Sequence, residues 1–137
     1  MSDINRQDHM SARVFEIKRG QDRAIFPHAV SVEGGRVLYL SGQLATDLEG
    51  NLVGEGDMRA QYVQVGENLK AVLEDAGASL KDIVKMNTFI TDMDAHMECI
   101  DLRQKYFGEA WPTSTTVEVS KLAVPGSMIE IEVIAMV

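Results

Sequence analysis

Cysteine occurs once in this chain, at Cys99, and tryptophan once, with three prolines. One thiol cannot close an internal disulfide, and a lone thiol suits a reducing compartment. Long apolar runs are missing as well. None approaches the roughly 18 residues of a membrane-spanning helix. Basic residues are scarce: 13 Lys and Arg stand against 21 Asp and Glu, a formal net charge of -8. Such a surface repels phosphate backbones and anionic bilayers, so neither nucleic acid nor membrane is the expected partner. Residues 1–10 contain no apolar h-region. No secretory signal is read there, and the cytoplasm is the expected location. Repeats and low-complexity tracts are absent. His9, His28, His96 and Cys99 show no metal-ligand spacing. Gly54-Glu55-Gly56 lacks the lysine and the strand–helix setting of a phosphate loop. No metal and no phosphate-loop cofactor are therefore expected.

What is present is an ordinary globular composition. Of 137 residues, 45% are hydrophobic and 25% charged, enough for one domain with a real core. Residues 1–12 have no apolar period and read as a flexible tail. Arg13 to Lys18 alternates like a half-buried strand, a short extended piece follows Phe26 to Val30, and Arg36 to Ser41 is β-rich. Asp57 to Ala76 reads as a helix, with Asp57 as N-cap and Gly77 at C′. Its inner stripe is Met58, Tyr62, Val65, Leu69, Val72 and Leu73. Gly66 in mid-helix suggests a close packing contact. Ile83 to Ile90 reads as a strand. A second helix runs from Asp92 or Asp94 to about Phe107, with Met97, Ile100, Tyr106 and Phe107 inward and Cys99 nearby. Thr115 to Val119 and Met128 to Val137 complete the strands. The order fits an α+β domain, one sheet with two helices on one face. The other face needs a cover, and self-association supplies one.

Several stretches resemble the RidA/YjgF family (reactive intermediate deaminases, also labelled endoribonuclease L-PSP), in that family's order. They are Leu40-Ser41-Gly42-Gln43, Ala60-Gln61, Glu67-Asn68-Leu69-Lys70, Ala76-Gly77-Ala78-Ser79-Leu80, Asp82-Ile83-Val84-Lys85, Ile90-Thr91-Asp92-Met93, Tyr106-Phe107, Pro112 to Val119, and Ile129-Glu130-Ile131-Glu132. The resemblance as a whole covers roughly Arg13 to Val137. The resemblance implies a chorismate-mutase-like fold and a homotrimer with a central barrel. A small-molecule pocket would lie at each subunit interface. It also implies cofactor-independent hydrolysis of enamines and imines.

For that chemistry the resemblance implies Glu130 as the catalytic carboxylate that orients water, with Glu132 the weaker candidate of the same parity. Phe26, His28, Ser41, Gly42, Ser114 and Thr116 are the substrate-binding candidates. Ser114 stands where the deaminases of the family carry arginine. An arginine fork grips a carboxylate at two points, whereas a hydroxyl offers one neutral donor. Arg23 and Lys121 are the candidate replacement cations. Ile100 stands in place of a usual asparagine, and Thr116 in place of a frequent cysteine. Cys99 reads as inert packing.

The expected function is a deaminase-like hydrolase with a non-standard substrate. One alternative is a metabolite-binding trimer without catalysis. Another is an enzyme resembling 2-aminomuconate deaminase, suggested by Phe26-Pro27-His28. A nuclease role suits the acidic charge poorly.

Overall fold

The computed structural model describes residues 4–20 and 22–137. Much of the segment expected to be a flexible tail is a strand. β1 (Asn5–His9) pairs antiparallel with β2 (Ala29–Glu33), Asn5 opposite Glu33 and His9 opposite Ala29. Its anchor is a charged side chain. Arg6 donates to the carbonyls of Ala110 at 2.6 Å, Trp111 at 3.1 Å and Ile83 at 3.2 Å. Residues 1–3 of the expected tail lie outside the described residues. The alternating segment Arg13 to Lys18 is not a strand. With β2 already paired to β1, Val14 and Phe15 stay exposed. The segment is pinned through the Ile25 N–H to the Ile17 carbonyl at 2.8 Å.

The remaining strands are β3 (Val37–Tyr39), β4 (Ile83–Ile90), β5 (Thr113–Glu118) and β6 (Ile129–Met136), in the order β3-β6-β4-β5. Only β4 and β5 run parallel. A parallel pair needs a crossover, and here it carries α2 (Met93–Met97) and α3 (Ile100–Phe107). One helix was expected there and two are found. The Cys99 N–H bonds back to His96 at 2.9 Å, and its thiol takes the Ala95 carbonyl at 3.6 Å. That carbonyl is the one a continuing helix would give to the Cys99 N–H.

Helix α1 (Met58–Asp75) matches its prediction. Asp57 accepts from the Ala60 N–H at 3.1 Å, and Gly77 holds φ +84°. Met58, Tyr62, Val65, Leu69 and Leu73 are buried, but Val72 is exposed, since Leu73 takes the inward place. A Cβ at Gly66 would lie 2.7 Å from the Tyr106 ring, so the glycine lets α1 and α3 approach. The core lies between these helices and one sheet face, where Met86, Ile90, Ile129, Ile131, Val133 and Ala135 are buried. Side chains alternate between faces along a strand. The opposite face therefore carries Val37, Tyr39, Phe89, Val117, Ile134 and Met136, around Lys85, Asn87, Glu130 and Glu132. Tyr39 is 78% exposed there.

Candidate functional site

Registry divides the candidate residues into two groups. Ser114 lies beside Met86 and Thr116 beside Thr88, both core positions, so the two hydroxyl residues face the helix layer. Glu130 lies beside Phe89 on the open face. Within one chain, Ser114 and Glu130 therefore sit on opposite sides of the sheet.

On the helix side, Phe26, Ser114 and Thr116 line a cavity of about 210 Å³. Arg103 and His96 line it too, from α3 and α2, and Arg19 contributes from the loop before β2. None of these three was singled out from sequence, because a charged or polar residue on a short helix or a loop reads as solvated. Yet Arg103 is 8% exposed and His96 6%. Their signal was positional: His96, Cys99, Arg103 and Tyr106 share one spacing of three and four, the inner stripe of the crossover. Met97 and Ile100, predicted to fill that stripe, are half-buried.

Burial depresses the pKa of Arg103, and nearby Arg19 adds to the depression. Among the described residues no carboxylate pairs with Arg103. Its guanidinium has one hydrogen-bond contact among the described residues, the Met86 sulfur at 4.0 Å. His96 stacks on Tyr62 with centroids 6.0 Å apart, and its Nδ1 is buried without a partner. Burial lowers its pKa, reinforced by Arg103 and Arg19. The two predicted replacement cations lie elsewhere. Arg23 stacks on Trp111 at 4.2 Å and donates to the Gly108 carbonyl at 3.3 Å. Lys121 lines a separate groove with Ser120 and Pro125.

On the open face, Glu130 and Gly42 are in contact. A Cβ at residue 42 would collide with the Glu130 carboxylate, and the Gln43 backbone bridges to Ile131 beside it. Ser41 is exposed next to this pair. The two glutamates differ. Glu132 accepts from Asn87 Nδ2 at 3.0 Å, whereas Glu130 has no hydrogen bond or ion pair among the described residues. Asn68 steadies this region by donating to the Leu44 and Thr46 carbonyls, both at 3.0 Å. His28 lies outside the Arg103 cavity but lines a neighbouring groove with Phe26, Ser114 and Lys85. Its Nδ1 accepts from the Ser11 N–H at 2.9 Å, and its Nε2 meets the Phe15 carbonyl at 3.3 Å. Both ring nitrogens thus tie down the N-terminal segment. Among the described residues no three His, Cys, Asp or Glu side chains come together as metal ligands, and no helix is long and apolar enough to cross a membrane.

The family model described as endoribonuclease L-PSP matches residues 21–137. The chain belongs to this family, RidA/YjgF. A RutC family protein of Pyrococcus abyssi is 36% identical over 113 residues, which cover 82% of this chain and 88% of that one. A protein of Dermatophagoides farinae named 2-iminobutanoate/2-iminopropanoate deaminase is 33% identical over 113 residues, with 82% and 88% covered. Among solved structures, the Rid family protein YyfB of Yersinia pestis, described as of unknown function, superposes with a TM-score of 0.82. It is 33% identical over 97% of this chain and 99% of that one. RidA from an Antarctic Psychrobacter gives 0.68 at 36% identity, covering 77% and 84%.

The buried histidine of this RidA/YjgF protein makes its stability depend on pH. An unfolded histidine takes up its proton near pH 6.5, while the folded site holds His96 neutral to lower pH. Below that point the unfolded state binds more protons, so stability falls with falling pH. One such group contributes a slope of at most about 1.4 kcal/mol per pH unit. The contribution is intact above about pH 7. Urea midpoints from pH 7.5 to 5 should fall more steeply for the wild type than for His96→Phe. Parallel slopes would remove His96 from the linkage.

Proposed function

We propose that this protein is a cofactor-independent hydrolase of small imines and enamines, with Glu130 as the residue that positions and activates water. One observation carries the reading. Of the two glutamates on the open face, Glu130 alone among the described residues has a carboxylate free of partners, and Gly42 leaves the room it occupies. An imine carbon is already electrophilic. Water adds to C=N, a proton moves from that water to nitrogen, and ammonia leaves as the carbonyl forms. A carboxylate can accept and return that proton within hydrogen-bond reach. An enamine enters the same route once its carbon is protonated to the imine. The deaminase name of the Dermatophagoides farinae relative supports this chemistry, and the net charge of -8 speaks against an RNA substrate.

The reading includes the assembly. Glu130 and the Ser114 cavity lie on opposite faces of one sheet, so one active site draws them from neighbouring copies. In a homotrimer the β5 edge of one copy meets the open face of the next, which brings the two together and covers Val37, Tyr39 and Ile134. The cytoplasm is its proposed location.

The test is hydrolysis of freshly generated 2-iminobutanoate, followed as the rate of 2-oxobutanoate release. Glu130→Gln should lose at least about a hundredfold in turnover, the lower range for a general acid–base group. Its sedimentation should stay at three chain masses. Wild-type turnover in Glu130→Gln would take the residue out of the mechanism.

A further inference from the structure

The cavity behind β5 holds two arginines and no acidic side chain. A guanidinium taken out of water is costly unless it is paired. Arg103 is 8% exposed and has only a thioether sulfur, a weak acceptor, at 4.0 Å. Arg19 stands close enough to disfavour the Arg103 charge further. Among the described residues no acidic side chain compensates for this concentration of positive charge, but a bound anion would. Across from the arginines, Ser114 and Thr116 bring hydroxyls, and the short serine leaves space in front of α3. Ile17, Ile25, Phe26, Met93 and Met97 make most of the remaining wall apolar, with the neutral His96 ring beside them.

We infer that this cavity is a carboxylate site in which Arg103, reaching in from helix α3, holds the anionic end of a small ligand. Arg19 stands at its mouth, the Ser114 and Thr116 hydroxyls assist, and the apolar wall takes a short alkyl or aromatic group. The guanidinium that β5 lacks is supplied by the crossover helix. The inference shares its cavity with the proposed hydrolase and rests on that cavity being the ligand site. It does not depend on Glu130 chemistry, since binding can hold where hydrolysis fails.

Calorimetric titration with 2-oxobutanoate, its uncharged methyl ester and benzoate tests this, alongside thermal unfolding. The wild type should bind both carboxylates and bind the ester at least tenfold more weakly. Arg103→Met should weaken carboxylate binding at least tenfold. Without ligand it should melt at or above the wild-type temperature, because it removes a buried unpaired charge; a structural arginine would show the opposite. Arg19→Met should weaken binding several-fold, and Lys121→Met, in a separate groove, should not change it. Wild-type affinity in Arg103→Met, equal binding of acid and ester, no saturable binding of either carboxylate, or a markedly destabilised Arg103→Met would each overturn the inference. Glu130→Gln separates the two readings. Retained binding with lost turnover supports both. Carboxylate binding by a wild type that never hydrolyses imines keeps this site and removes the hydrolase.

Discussion

Gly42→Ala should abolish imine hydrolysis while leaving the fold almost untouched. The backbone at residue 42 is not among the left-handed glycines, so alanine meets no conformational penalty there. The obstacle is lateral. The new Cβ would overlap the Glu130 carboxylate and sit about 3.0 Å from its Cγ. The far end of a glutamate side chain can swing aside at little cost in stability. A catalytic carboxylate moved by about 1 Å, however, can lose two orders of magnitude in rate. We therefore expect kcat/KM to fall at least about a hundredfold, with the melting temperature within a few degrees of wild type. The double variant Gly42→Ala with Glu130→Gln should be no slower than Glu130→Gln alone, because both changes remove one function. Full activity in Gly42→Ala would mean that Glu130 works from another position or not at all. A large fall in melting temperature would make Gly42 a structural glycine.

The contrast between Gly42 and Arg103 shows which parts of the site were legible in sequence. Short motifs on strands and their turns were readable, since strand parity and glycine have direct geometric meaning. Glu130, Gly42, Ser114 and Thr116 were named as candidates through the resemblance of those motifs to the family, not from parity itself. Helix α1 was readable from its caps and its spacing. Three features were not. β1 carries no apolar alternation and is held by hydrogen bonds from Arg6 to distant carbonyls, a long-range contact that no local pattern reports. Arg103 and His96 occupy an inner stripe that a hydrophobicity count assigns to Met97 and Ile100. Charge at a buried position breaks the pattern that defines burial, so sites of this kind are the ones such a reading loses. The separation of Ser114 from Glu130 across the sheet needed the pairing register, which motif order does not contain.

Gln61 was legible as part of an Ala-Gln motif, but its role was not, and its replacement should have the largest effect on stability. The side chain is fully buried. Its Nε2 donates to the carbonyls of Gly54 at 3.0 Å and Gly126 at 3.1 Å, and its Oε1 accepts from the Met128 N–H at 2.7 Å. One amide thus joins the loop before α1, the turn after Lys121 and the entry to β6, which carries Glu130. Gln61→Met keeps much of the volume and loses all three bonds, leaving backbone groups without partners. At about 1 kcal/mol for each of the three bonds, with a further 1–3 kcal/mol for a buried orphan, the loss should be roughly 4–6 kcal/mol. At several degrees per kcal/mol, that lowers the melting temperature by about 10 °C or more. Gln61→Glu sharpens the test through its pH dependence. A carboxylate there would face two carbonyls, so the folded state raises its pKa above the unfolded value. The variant should be less stable than Gln61→Met at pH 8. It should recover as pH falls and the carboxyl gains a proton to donate. A Gln61→Glu stability that tracks Gln61→Met across pH 5–8 would mean that the donor bonds to Gly54 and Gly126 contribute little.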